Sequence, residues 1–138
     1  ANLSLHKEML SRDFKINTLL MSLDLKHIYD PTRLAIKDLD AKVIDTCLLP
    51  EQTFTDQPNR AIRAIYLACK LNFKLSDRLY KHLKENSAIF SLIPKKYLVK
   101  RINNAISYNK EYFDYLVKDL ALQNYLIFDY EQFKNNIL

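Results

Sequence analysis

Asp13 and Asn17 stand four residues apart with Arg12 beside them, a spacing that on a helix sets a carboxylate and a carboxamide on one face. The plain reading is local: Asp13 caps a helix and Arg12 is solvated. Asp56 and Arg60 repeat the spacing, but a surface ion pair of this kind is worth only about 0.3–0.5 kcal/mol, so spacing alone makes it structural. His6, His27 and His82 have neither ligand spacing nor a nucleophile beside them and read as surface or capping residues. Cys47 and Cys69 are too few and too far apart for a zinc site or a disulfide framework. They read as buried thiols of an intracellular protein from a reducing compartment, cytoplasm or organelle matrix. No residue set qualifies as a catalytic group or a metal centre.

The 138 residues contain no glycine, where average usage would supply roughly ten. Loops that cradle phosphates need glycine for positive φ and close backbone approach, so Walker, Rossmann and kinase-type nucleotide sites are excluded from the sequence. Any nucleotide must be held by side chains. No apolar run reaches the roughly 18 residues of a membrane span, and the start lacks a basic-then-apolar leader pattern. A soluble protein without a membrane partner is expected.

The net charge of +5 is unevenly spread: residues 58–101 carry 11 Lys and Arg against Asp77 and Glu85 alone, while both flanking parts are weakly acidic. That is too lopsided for a mixed-sign solvated surface and predicts a polyanion partner. Arg63, Lys70, Lys81, Lys84, Lys95, Lys96, Lys100 and Arg101 are expected to contact RNA phosphates. The alternatives are a merely solvated face and, more weakly, a membrane surface, since the interleaved apolar residues read as core.

Helices must position these groups. Pro31, Pro50, Pro58 and Pro94 mark the joints. Between Pro58 and Phe73 the set Ile62, Ile65, Ala68, Cys69 and Leu71 follows the helical period, with Arg60, Arg63 and Lys70 on another face. Ser76 is a candidate N-cap for a second helix, with Leu79, Leu83 and Asn86 inward and Arg78, Lys81 and Lys84 outward. Pro94 opens a third, with Tyr97, Leu98, Ile102 and Ile106 on one stripe, and residues 110–121 and 129–137 suggest two more. Tyr108, Tyr112, Phe113, Tyr115, Tyr125, Phe128, Tyr130 and Phe133 could stack bases, although helical spacing favours core or a protein interface. Residues 22–30 alternate apolar and polar and stop at Pro31, predicting a short strand or hairpin with no partner elsewhere in the chain.

The order of short motifs is specific. Ser11-Arg12-Asp13-Phe14-Lys15-Ile16-Asn17-Thr18 resembles the RRDFTINA motif of the class II polynucleotide nucleotidyltransferases, the family of tRNA CCA-adding enzymes and bacterial poly(A) polymerases. Ile28-Tyr29-Asp30-Pro31 is similar to that family's IIDP turn, and Lys37-Asp38-Leu39 with Lys42-Val43-Ile44 to its EDL and KxIR elements. Residues 55–65 resemble REDPLRMLRAIR, Leu71-Asn72-Phe73 resembles LGF, and residues 92–97 resemble the later ISPERI helix start. The resemblance covers about residues 5–107.

It implies a mainly α fold: a helical neck and body preceded by a short α+β remnant of a nucleotidyltransferase head. The implied division is 1–45 head remnant, 46–107 RNA-binding neck and 108–138 start of the body. It also implies that Arg12, Asp13 and Asn17 contact ribose and phosphates, and that Asp56, Gln57 and Arg60 occupy the base-reading motif. The departures weaken that site. Gln57 stands for its aspartate, Ser11 for an arginine, Thr32-Arg33-Leu34 for a Gly-Gly turn and Asn72 for a glycine. The family's metal-binding carboxylates precede the RRDF motif and are missing, so no cofactor is expected in this chain, with Mg²⁺ and ATP or CTP only where a catalytic half is supplied. Two readings follow. One is a noncatalytic or degenerate RNA-binding relative, a component of a larger ribonucleoprotein, favoured by Gln57 and the absent glycine. The other is the C-terminal part of an active enzyme whose catalytic half lies outside this chain, favoured by the length of the motif match. The partners expected are tRNA or another structured RNA, and a protein that completes the head sheet.

Overall fold

A computed structural model describes residues 11–21 and 25–124. The expected helix over 129–137, with Tyr125, Phe128, Tyr130, Phe133 and His6, lies outside the described residues.

The described residues are mainly helical with two small sheets. After a 3-10 turn at Lys15–Thr18, β1 (Leu20–Met21) pairs antiparallel with β2 (Ile28–Tyr29), Leu20 opposite Tyr29 and Met21 opposite Ile28. The strand expected over 22–30 is therefore reduced to two residues, and its partner lies within the chain, immediately upstream. The carboxylate of Asp30 accepts from the backbone N–H groups of Ala35 and Ile36, at 3.3 and 3.0 Å, and so starts α1 (Ala35–Ala41). Lys42, left-handed at φ 57°, ends it. β3 (Val43–Ile44) then pairs in parallel with β4 (Lys74–Leu75), a contact between strands too short to carry a sequence period.

The body is built by α2 (Pro50–Asp56), α3 (Asn59–Leu71), α4 (Asp77–Glu85) and α5 (Lys95–Asp119). Pro50 occupies the first turn of α2, where its missing N–H costs nothing. Ser76 caps α4 as expected, its Oγ accepting from the Leu79 N–H at 3.3 Å. α5 is broken at Asn109, whose extended backbone interrupts the helix and whose Oδ1 accepts from the Tyr112 N–H at 3.1 Å, restarting it.

α3 packs along α5. Ala61, Ala64, Ala68 and Ala105 are fully buried and let the axes approach, while Ile62, Ile65, Leu98 and Ile102 fill the seam. Each such aliphatic side chain contributes about 1.5–3 kcal/mol by leaving water. Phe14, Phe54, Phe90 and Phe113 join the same core, so the first described residues are anchored in the helical body. Three expected inward residues are not buried: Tyr97 is only partly covered, and the other two lie at helix ends. Leu71 is the last residue of α3, where the left-handed Asn72 turns the chain away, and Asn86 sits past the end of α4, bonding back to the His82 carbonyl at 2.9 Å.

Arg33 and Asn72, standing where the resemblance puts glycine, keep left-handed backbone at φ 60° and 56°. The turns persist although their residue type changed, at a steric cost larger for arginine than for asparagine.

Candidate nucleotide-binding cleft

The segment carrying Arg12 and Asp13 is strapped onto the body by its backbone. Lys15 N–H donates to the Asp45 carbonyl at 3.0 Å, Cys47 N–H donates to the Asp13 carbonyl at 3.2 Å, and Phe14 bridges Thr46. A buried carboxylate locks this strap. Asp45, only 7% exposed, receives Lys15 Nζ at 2.6 Å, Ser76 Oγ at 2.7 Å and Arg78 Nε at 2.8 Å. Arg78 Nη2 also donates to the Thr46 carbonyl at 2.6 Å. Burial opposes ionisation of Asp45, but the hydrogen bonds from Arg78, Lys15 and Ser76 outweigh it and hold the carboxyl below its ordinary range.

Strap, α2–α3 junction and start of α5 enclose an open cleft of about 690 Å³, lined by Arg12, Asp13, Asn17, Gln57, Asn59, Arg60, Arg63 and Tyr97. Five of the six residues expected at a nucleotide site thus meet in one place. Asp13 and Asn17 meet through the 3-10 turn and not along an α-helix: Asn17 Nδ2 donates to Asp13 Oδ1 at 3.1 Å, which also accepts from the Phe14 N–H at 2.9 Å. Arg12 Nη1 donates to the Asn17 carbonyl at 2.7 Å, so Arg12 is held and not simply solvated. Arg60 is anchored to two backbone carbonyls, Ser11 at 3.2 Å and Thr53 at 3.5 Å.

Asp56 does not join them. It is exposed at the end of α2 and borders a shallow groove with Leu49, Glu51, Gln52 and Thr55. Among the described residues Asp56 and Arg60 form no ion pair. The i, i+4 argument fails because Gln57, at φ −145° and ψ 96°, is extended between two helices.

Arg63, expected on the outer RNA face, turns into the cleft and pairs with Asp13 at 2.5 Å. Its signal was present in the sequence, since it lies one helical turn beyond Arg60. Tyr97 and Asn59 are further lining residues that sequence reading missed; Tyr97 comes from a helix 37 residues beyond Arg60, a distance that no local period spans. Three arginines against one aspartate make the cleft positive, a setting for a polyphosphate held by side chains. They do not suit a divalent cation. Among the described residues Asp13 is the one carboxylate of the lining, and it is already committed to Arg63 and Asn17. Among the described residues no group of three or more His, Cys, Asp or Glu could hold a metal.

Burial pushes the Cys47 thiol up to about 11 and the Cys69 thiol up to about 12, so both stay protonated at neutral pH. His82 stacks on Phe54 with ring centroids 5.7 Å apart. Lys81, Lys95, Lys96 and Lys100 are exposed, and Lys84 approaches Asp119 at 3.9 Å. Lys70 and Arg101 lie over tyrosine rings. No described helix is long and apolar enough to cross a membrane.

No protein-family model matches the sequence. A tRNA nucleotidyltransferase of Schizosaccharomyces pombe is 38% identical over 78 residues, 56% of this chain and 16% of that protein. A tRNA-processing enzyme solved with CTP superposes with a TM-score of 0.76 at 29% identity, covering 89% of this chain and 35% of that one. The Bacillus stearothermophilus CCA-adding enzyme in complex with CTP shares the fold with a TM-score of 0.82 at 20% identity, over 94% and 33% of the two chains. The chain is therefore a relative of the class II polynucleotide nucleotidyltransferases. Within that class its relatives are the tRNA nucleotidyltransferases, and it spans about a sixth of the length of the S. pombe protein and about a third of the two solved chains.

Proposed function

We propose that this chain is the nucleotide- and RNA-holding portion of a tRNA-nucleotidyltransferase-like protein, and that it adds no nucleotide by itself. The observation that carries this reading is the convergence of Arg12, Asp13, Asn17, Gln57 and Arg60, from stretches some 40 residues apart, on one positive cleft. Arg12, Arg60 and Arg63 would hold the triphosphate, Asp13 and Asn17 would meet the ribose, and Gln57 would face the base. Outside the cleft, Lys81, Lys84, Lys95, Lys96 and Lys100 would neutralise RNA phosphates. In this reading residues 1–45 belong to a head, 46–107 to a neck and 108–138 to a body. The exposed Leu25, Ile28 and Tyr29 around β2 support a surface that further head structure covers. A reducing intracellular compartment suits two cysteines kept as thiols.

Two-metal phosphoryl transfer requires paired carboxylates, and among the described residues the cleft offers Asp13 alone. The test is incubation of the purified chain with Mg²⁺, ATP, CTP and a tRNA lacking its 3′ CCA. Retention of the tRNA without extension is expected, and incorporation above background would overturn the inactive reading. A second reading, the C-terminal part of an active enzyme, is supported by the intact assembly of the cleft. A GGxxRD loop and a DxD pair encoded upstream of Ala1 would decide for it.

A further inference from the structure

The cleft does not end at Tyr97. The guanidinium of Arg101 lies between two rings, 5.3 Å from the centroid of Tyr97 and 4.8 Å from that of Tyr66, and its Nε donates to the Tyr97 hydroxyl at 3.2 Å. Beyond Tyr66, Lys70 Nζ sits 5.7 Å from the centroids of both Tyr66 and Tyr108. A continuous strip of alternating rings and cations thus runs along the α3–α5 seam, from the cleft wall at Tyr97 to the break at Asn109. Among the described residues neither Lys70 nor Arg101 has a carboxylate partner.

Tyrosines in a core are buried, and cations on an ordinary surface are interspersed with carboxylates. In this strip Tyr66 and Tyr97 are partly buried against the core, but its outer end is not, and among the described residues neither cation is matched by a carboxylate. Tyr108 is 55% exposed, and the positive charge is uncompensated. The Tyr66 and Tyr108 rings, 6.2 Å apart and tilted by 60°, leave no parallel slot between them, so the free surface is the outer face of Tyr108. A ligand matching this pattern carries a planar group to lie on Tyr108 and anionic groups to reach Lys70 and Arg101. An unpaired nucleotide has both. A duplex hides its base faces and offers phosphates only.

We infer that Tyr108, with Lys70 and Arg101, forms a stacking subsite for an unpaired base of single-stranded RNA, outside the cleft and connected to it by Tyr66 and Tyr97. This rests on the RNA-binding reading above and adds to it a discrimination between single strand and duplex.

The test uses the full chain and an eight-nucleotide oligoadenylate containing 2-aminopurine, compared with an RNA duplex of equal length, at fixed salt. Stacking quenches the 2-aminopurine emission on binding. Tyr108→Ala is expected to weaken single-strand binding by roughly 5-fold or more and to relieve the quenching. Duplex binding and the salt dependence of affinity should not change, because no charge is removed. Tyr108→Phe should keep quenching and affinity within about twofold, since the ring is what stacks. Lys70→Gln should flatten the salt slope by about 0.7 on the single strand. Unaltered single-strand affinity in Tyr108→Ala, or an equal loss on single strand and duplex, would overturn the subsite while the RNA reading stands. Absence of binding to either RNA would overturn both.

Discussion

Replacing Asp45 by asparagine removes one charge and almost no volume at the point where strap, β3 and the start of α4 meet. The carboxylate is 7% exposed and bonded to Lys15, Ser76 and Arg78. Removing one member of a fully buried ion pair costs about 3–5 kcal/mol. Here the Lys15 and Arg78 side chains are 19% and 41% exposed, so water recovers part of their charge. Asparagine also keeps one acceptor for Ser76 or Arg78. The loss then comes to about 2–3 kcal/mol, which in a chain of this size lowers Tm by roughly 6–15 °C. Its pH dependence is signed. A carboxyl held below its ordinary pKa in the folded state stabilises fully above the unfolded value of about 3.9, and that contribution is lost as pH falls through the folded value. The gap between native chain and variant should be widest near neutrality and close in acid. Urea titrations from pH 7 to pH 3, with Asp40→Asn at an exposed position of α1 as control, measure it. Amide exchange at Lys15 and Cys47, whose N–H groups hold the strap, should rise in the variant. A difference under about 0.5 kcal/mol, the level of an ordinary surface change, or one that does not shrink in acid, would refute the lock.

Asp38 behaves oppositely: burial raises its pKa and its Oδ2 has no hydrogen-bond partner among the described residues, so Asp38→Asn should gain about 0.5–1 kcal/mol at pH 7 in urea titration, the gain vanishing as the native carboxyl protonates at lower pH. Arg33→Gly should gain about 0.5–1 kcal/mol by relieving left-handed strain at φ 60°, and Asn72→Gly less, as thermal melts would show. Converting Lys95, Lys96 and Lys100 together to alanine should flatten the dependence of log affinity for tRNA on log salt by about 2–3 units, and an unchanged slope would leave these lysines as solubility charges.

The helices were legible in the sequence wherever a period of 3.6 could accumulate. Pro58 to Leu71, Ser76 to Glu85 and the stretch from Pro94 show this, as does the Ser76 cap. The cleft was legible through motif order, which linked residues 12–17 to residues 57–60 where no local rule could. What failed was local geometry across breaks. An i, i+4 relation between Asp56 and Arg60 presupposes one helix, and a single extended residue, Gln57, sends the two side chains apart. β3 and β4 leave no sequence signal because two-residue strands have no alternation. Charge and helical face together put Arg63 outward, because its partner Asp13 lies 50 positions away in sequence. Charge counting finds a basic segment without saying which side chains are already paired.

Calorimetric titration of the chain with CTP and with ATP, alongside Gln57→Asp and Arg60→Ala, tests whether this cleft holds a nucleoside triphosphate. A carboxamide offers both donor and acceptor where a carboxylate only accepts, so the native chain should bind both nucleotides at one site with little preference. Gln57→Asp should tighten binding. Arg60→Ala should weaken it by about tenfold or more, the value of one charge-assisted hydrogen bond, with its Tm followed because Arg60 also anchors Ser11 and Thr53. Tight and selective binding of one nucleotide by the native chain would contradict the role given to Gln57, and no heat from either nucleotide with the native chain and with Gln57→Asp would contradict the cleft.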